Sequence, residues 1–407
     1  MNPPVDFTGP PEYPLCQKKV IFYMLKRKHI LLLLEWYDYR IHRGVAQIAR
    51  KNGWQLNCPK DILQSDHILS NREIDGCIAL LQGTETLEYF RRNQIPLVDM
   101  GLGNHKLPIP RVVTDNRAIA QLAAEHFREY GYKQVFVLDP DNVKMYEERL
   151  DAFKLFMEKD GGTVTTFHSA GRTESRVIDE LKQLASSQDR KLEELSVGFF
   201  AYQDTAAAEM ISVCLQNNLR VPENVAVLGV DNDDLVNQGL TVELSSVDSD
   251  QEGLGAAAAR TLLELLKEKK SSNSRTIIRH PPLGVIARRS TDCYAVENPL
   301  VANALHWIKN NFYYGIQASD VATAMGVTQQ GLQKAFANCY SKSPGQEIRH
   351  QRTHAVSHLL KSTEATLEEI ARNCGYCTVN SLINSFRVTF GTTPGRYRKV
   401  NKISNKS

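Results

Sequence analysis

Acidic residues recur where the apolar runs of this chain end. Residues 30–34 lead into Glu35, Trp36, Tyr37 and Asp38, and residues 111–113 into Thr114, Asp115 and Asn116. Residues 199–202 lead into Asp204, and residues 225–230 into Asp231 and Asn232. Carboxylates so placed accept hydrogen bonds from neighbouring hydroxyls, and an aromatic such as Trp36 stacks on the apolar face of a sugar ring. One strand-end aspartate alone is most simply a helix N-cap, and Asp115 and Asp234 read as such caps. The chemistry therefore rests on several groups converging. A second constellation lies near the C-terminus and is duplicated. Thr328, Leu332, Phe336, Tyr340, Ser343, Pro344 and Gly345 return fifty positions later as Thr378, Leu382, Phe386, Phe390, Thr393, Pro394 and Gly395. Val321, Ala322 and Gly326 return as Ile370, Ala371 and Gly375 at an offset of 49, the change falling at a turn that tolerates an insertion.

A repeated short helix, glycine turn and longer helix is two copies of a helix-turn-helix, whose second helix has a width suited to the DNA major groove. Leu332, Phe336, Leu382 and Phe386 share one face at helical spacing and are expected in the core. The opposite face of the first reading helix carries Thr328, Gln329, Gln330, Gln333 and Lys334. That of the second carries Thr378, Val379, Asn380, Ser381, Asn384 and Arg387. Glutamine and asparagine pair bidentately with adenine, while arginine and lysine reach guanine or phosphate. For each residue taken singly, an exposed polar position is the plainer alternative. Arg396, Arg398 and Lys399 follow the second unit and suit a phosphate-side or structural role.

The elements that must position these groups divide the chain in two. From residue 28 short apolar runs alternate with amphipathic helices for some 250 residues, which predicts parallel sheets covered by helices. Strands are expected at 30–34, 76–81, 96–99, 134–138, 197–201 and 225–230. Helices are expected at 40–52, 118–130, 149–159, 180–187, 204–217 and 253–269. That length suits two similar lobes. Strand character returns over 276–289, a polar connection follows over 288–297, and beyond it the β signal vanishes. The tail opens on an amphipathic helix at 300–312, and a long helix, 346–362, separates the two repeat units. The division reads as an extension without fixed structure (1–27), a two-lobed body (28–290), a linker (291–298), a helical DNA-binding domain (299–400) and a flexible tail (401–407).

The 407 residues carry a net charge of only +3, but residues 297–407 are net +7 and the remainder net −4. A basic tail on a mildly acidic body fits a nucleic-acid-binding module attached to something else. Hydrophobic (42%) and charged (23%) fractions are those of an ordinary globular protein. Eight scattered cysteines in a long chain point to a reducing compartment. No stretch approaches the roughly 18 apolar residues of a membrane span, and no signal peptide is evident. A cytoplasmic location is expected. Cys374 and Cys377 form a CxxC, but it straddles the helix-turn-helix turn with neither a preceding strand nor a second pair, so neither redox chemistry nor zinc follows from it. No metal and no cofactor are expected.

The body resembles the LacI-type regulators and periplasmic sugar-binding proteins. It does so through VVTDN (112–116), EERLDAF (147–153), AYQDTAA (201–207), VAVLGVDND (225–233) and LSSVD (244–248), in that order and spacing. The resemblance implies that Arg149 and Asp231 hold sugar hydroxyls and that Asp204 is a further ligand-side acid. Glu35, Trp36 and Asp38 transfer more loosely, from a variable first loop. No N-terminal helix-turn-helix is present, so the DNA reader lies elsewhere. The tail resembles the AraC-type DNA-binding domain, most specifically over EEIARNCGYCTVNSLINSFRVTFGTTPGRYR (368–398). There Ile370, Ala371, Gly375, Tyr376, Phe386, Phe390, Gly391, Pro394, Tyr397 and Arg398 sit where that pattern wants them. Ser341 departs from the glycine usual in the first unit. The order of these two parts, with the junction GVIARRSTD (284–292), is similar to the xylose operon regulator family. The fold so implied is an α/β two-lobed periplasmic-binding-protein-like domain followed by an all-α domain with two helix-turn-helix units.

That resemblance implies a regulator, of the activator type, responding to a xylose-like pentose. Its partners would be double-stranded operator DNA, the sugar, RNA polymerase and a second copy of itself, with no membrane and no catalysis. Regulation by a different sugar stays open. A carbohydrate solute-binding protein would share the body but should carry a signal peptide and no basic helical tail. A carbohydrate-active enzyme would need a poised acid/base pair, which sugar turnover would reveal.

Overall fold

The computed structural model describes residues 27–59, 74–101, 106–140, 144–168, 173–268, 275–296, 298–340 and 342–403. The expected extension (1–27) and flexible tail (401–407) lie outside them, except for residues 27 and 401–403.

Two largely parallel sheets form the body. The first lobe contains β1 (His29–Leu34), α1 (Tyr39–Lys51), β2 (Gln55–Asn57), β3 (Gly76–Leu80), α2 (Glu85–Arg92), β4 (Leu97–Asp99) and β5 (Arg111–Thr114). The chain then enters the second lobe. It builds α3 (Asn116–Glu129), β6 (Gln134–Asp139), α4 (Lys144–Glu158), β7 (Thr163–His168), α5 (Thr173–Ser187), β8 (Val197–Phe200), α6 (Asp204–Gln216), β9 (Val225–Val230), α7 (Asp234–Gln238) and β10 (Ser245–Asp248). It returns for α8 (Gln251–Glu268) and β11 (Ile277–His280), and crosses once more for β12 (Gly284–Ile286). Strand order is β2-β1-β3-β4-β5-β11 in one sheet and β7-β6-β8-β9-β10-β12 in the other. Both therefore repeat one doubly wound pattern, except that β11 pairs parallel and β12 antiparallel. The return of strand character over 276–289 is thus two short strands split between the lobes. The covered sheets explain the near-continuous apolar runs: β9 is buried throughout, and β1 from Ile30 onward.

Close backbone approach seals the first lobe. A Cβ on Gly44 would lie 2.0 Å from the Glu252 carbonyl oxygen, and one on Gly255 would lie 2.3 Å from that of Ile41. Only glycine lets α1 and α8 touch so closely.

The tail is helical: α9 (Pro299–Asn311), α10 (Ala318–Ala324), α11 (Gln329–Cys339), α12 (Pro344–Ser362), α13 (Leu367–Asn373), α14 (Val379–Phe390) and α15 (Pro394–Ile403). The two units repeat in capping as well as in sequence. Thr328 Oγ1 accepts from the Gly331 amide at 3.1 Å, and Thr378 Oγ1 from the Ser381 amide at 3.1 Å. Gly326 and Gly375 close the first helix of each unit at φ of +66° and +72°, a region that glycine occupies without a Cβ clash. Leu332, Phe336, Leu382 and Phe386 are fully buried, as their spacing predicts.

Candidate functional site

The carboxyl ends of both sheets carry the polar residues singled out from the sequence, the position where open α/β sheets bind ligands. Arg149, from α4, is 3% exposed. Its Nε donates to Asn116 Oδ1 at 3.0 Å and its Nη1 to the Tyr202 carbonyl. Tyr146, one turn earlier on α4, lays its ring 5.3 Å from the guanidinium and donates to Gln203 Oε1 at 3.0 Å. Burial lowers the pKa of Arg149, and the field of Asp231 opposes that shift.

Asp231 follows β9 at φ +104° and Asn232 at φ +50°, both in the region that L residues rarely adopt. Such strain persists only where surrounding contacts over-determine it. Here Ser249 Oγ and Gln251 Nε2 donate to Asp231 Oδ1 at 2.7 and 3.0 Å. Arg288 Nη2 donates to Asn232 Oδ1 at 2.7 Å. Asp204 fixes the same loop from below. It accepts the Asp233 amide at 2.7 Å and Ser246 Oγ at 2.6 Å. Burial first and the Asp231 charge second push its pKa up to about 7.

The first lobe reaches this loop through Arg40, which the sequence reading had passed over. Its Nη1 donates to the Asp231 carbonyl at 2.6 Å, and its Nη2 lies 3.5 Å from Asp233 Oδ2. Burial opposes its charge, but Asp38, Asp231 and Asp233 together raise its pKa. Asp38 caps α1 through the Arg40 amide at 2.8 Å and pairs with the Arg40 guanidinium at 2.6 Å. Glu35 accepts the Gln82 amide at 2.6 Å, joining two strand ends within the first lobe. Trp36 is 46% exposed beside it. Arg149, Asp204 and Asp231 thus share one cluster, Asp38 meets it through Arg40, and no described contact ties Glu35 or Trp36 to it. Asp115 caps α3, accepting the Ala118 amide at 3.0 Å. The expected cap at Asp234 is corrected: Asp233, one residue earlier, caps α7 by accepting the Leu235 amide at 2.9 Å.

On the reading helices Gln329, Gln330, Gln333, Lys334, Asn380, Ser381, Asn384 and Arg387 are exposed. Thr328 and Thr378 are exposed too, with their hydroxyls engaged as caps. Val379 is half-buried against the second unit's core. In the CxxC, Cys374 is buried with its pKa pushed up to about 11 by burial, and Cys377 is exposed. Reactive thiols show the opposite shift.

The two parts meet on the second lobe. The core around Phe127 and Phe153 continues through Tyr294, Val301 and Leu305 to Leu332 and Phe336, while the second unit has its own core around Leu382 and Phe386. The polar connection is buried in part: Ser290 and Thr291 are at most 1% exposed, and Thr291 Oγ1 lies 2.8 Å from His126 Nε2. Tyr130 stacks on Tyr294 with centroids 4.9 Å apart, and Lys309 Nζ donates to the Tyr130 hydroxyl at 2.8 Å and to Asp292 at 2.6 Å. Tyr340 donates to the Glu129 carbonyl at 3.3 Å and to Glu347 at 3.1 Å.

Comparisons with known proteins agree with both halves of this architecture. Residues 124–291 match the family model of a periplasmic binding protein-like domain, and residues 321–400 match that of a helix-turn-helix domain. The xylose operon regulatory protein of Haemophilus influenzae is 27% identical over 379 residues, 89% of this chain and 95% of that one. Its counterpart in Escherichia coli K12 is 28% identical over 398 residues, 93% and 99% of the two chains. Among solved structures, a xylose-binding transcription activator matches with a TM-score of 0.55 at 26% identity, covering 93% of this chain and 99% of its own. Among the described residues, no helix is long and apolar enough to cross a membrane.

Proposed function

The chain belongs to the xylose operon regulator family, and on that premise we propose that it is a sugar-responsive, DNA-binding transcription regulator that activates genes for using a xylose-like pentose. The sugar binds between the lobes. Arg149 and Asp231 hold its hydroxyls: the described contacts engage Nε and Nη1 of Arg149 and Oδ1 of Asp231, leaving Nη2 and Oδ2 to face a ligand. Asp204 shapes the Asp231 loop, Asp38 orients Arg40 across the cleft, and Glu35 and Trp36 line the first-lobe rim. The exposed faces of α11 and α14 read operator DNA. The protein works in the cytoplasm as a homodimer and touches RNA polymerase.

One observation carries this reading: α3 joins the cluster around Arg149 to the tail. Its first residue, Asn116, accepts from Arg149 and donates from Nδ2 to the Met145 carbonyl at 2.9 Å. Its last turn carries Glu129, and Tyr130 follows, both against the tail. Fourteen residues of helix span about 21 Å as one stiff unit. A sugar that repositions Arg149 shifts α3 and, with it, the tail. Thermodynamically the sugar redistributes protomer arrangements by its differential affinity for them.

Calorimetric titration with a panel of pentoses and hexoses tests the proposal. Xylose should give stoichiometric heat, and Arg149→Ala and Asp231→Ala should each weaken it about ten- to a hundredfold, the range for losing a charged hydrogen bond. Heats from both variants that match those of the unaltered chain would mean the pocket lies elsewhere. A better response to another sugar would replace xylose and leave the mechanism intact.

A further inference from the structure

Three side chains at the junction meet without any part in sugar or DNA binding. His350 and His354 stand four residues apart on α12, so both project from one face of that helix. Glu129 comes from the last turn of α3 in the body. Glu129 Oε1 lies 3.7 Å from His350 Nε2 and 4.0 Å from His354 Nδ1, and all three donor atoms fall within 4.8 Å of one another. We propose that Glu129, His350 and His354 form a divalent transition-metal site, with zinc as its best-fitting ion, that pins the DNA-binding tail to the second lobe.

The donor set is two imidazoles and one carboxylate, which suits zinc and its neighbours and is poor for calcium or magnesium. Zinc takes such ligands at about 2.0–2.2 Å, so tetrahedral geometry needs them about 3.4 Å apart. The separations here exceed that by under about 1.5 Å, within reach of side-chain rotation alone. The two histidines share a helix face as in zinc sites built on paired histidines one turn apart. Water would complete the fourth position, since the His354 side chain is 43% exposed and Glu129 38%. The neighbouring cation Lys342 is paired with Glu347 at 3.4 Å, which blunts its repulsion of an ion. His354 also packs near Phe390, at the end of the second reading helix, with centroids 5.5 Å apart. The ion would thus join three elements: α3, α12 and, through packing, α14.

The test uses the full chain without a histidine tag, stripped by chelator and held reduced by a phosphine. Equilibrium dialysis against Zn2+ should load one equivalent, and Co2+ should give the d–d bands of a nitrogen and oxygen site without thiolate charge transfer. Glu129→Gln and His354→Gln should each weaken binding at least about tenfold, while His358→Gln, one turn further along α12, should not. Circular dichroism confirms that the variants fold, which the exposure of His354 favours. Absence of stoichiometric loading below about 1 mM free metal, unchanged affinity in both ligand variants, or a thiolate signature abolished by blocking cysteines would overturn the assignment. Neither sugar nor DNA enters the measurement, so its failure leaves the regulator reading untouched.

Discussion

Three aspartates that look alike in sequence do different work, and their environments decide which. Asp231 sits on a strained turn, held on one carboxylate oxygen. Asp38 is a helix cap that clamps Arg40. Asp204 is buried beneath the loop, and its folded pKa, about 7, lies above the ordinary value of 3.8. Between those values the folded protein binds the proton that the unfolded chain releases. This contribution to stability is therefore full below about pH 4 and is lost as pH rises through 7. Asp204→Asn removes the titration. Across thermal melts from pH 5 to pH 8, the variant should gain on the unaltered chain as pH rises. Parallel pH profiles would show that Asp204 stays charged throughout.

At the scale of elements, the repeat units are alike in sequence and unlike in surroundings. Gly326 and Gly375 both turn at positive φ. A Cβ at Gly326 meets nothing within 4 Å, whereas one at Gly375 would lie 2.4 Å from the Phe312 carbonyl oxygen, which also accepts from Arg352 Nε at 3.0 Å. Gly326→Ala should cost about 1 kcal/mol, the price of the backbone conformation alone. Gly375→Ala should cost about 3 kcal/mol or more, because the backbone must also move. Chemical denaturation of the two variants compares them, and equal losses would contradict the steric account. In the same way the coupling role proposed for α3 rests on what touches its ends, Arg149 at Asn116 and the tail at Glu129 and Tyr130.

For the whole molecule, the first unit shares a core with the second lobe, and the second unit keeps its own. Tyr294 touches both parts, stacked on Tyr130 and accepting from Gln351 Nε2 at 3.4 Å. Tyr294→Ala should leave sugar heats intact and leave some DNA binding, while cutting the effect of sugar on operator affinity about tenfold, a coupling loss near 1.4 kcal/mol. Titrating operator fragments with and without sugar measures it. A full sugar response in the variant would show that the signal travels by another route.

The residues alone determined the alternation of strand and helix, the duplicated tail and its buried Leu332, Phe336, Leu382 and Phe386. Each of these is written in short-range periodicity and turn chemistry, which a linear chain carries intact. Resemblance to the LacI-type motifs pointed to Arg149, Asp204 and Asp231, which the structure brings into one cluster. The residues alone could not reveal that Arg40 crosses to a partner 191 positions away, or that Ser290 and Thr291 of the junction are buried against His126 and Ser245. Nor could they bring Glu129 to His350 and His354. Those contacts join segments far apart in sequence. Their partners are fixed only once two sheets and the tail have packed, because long-range pairing leaves no local pattern behind.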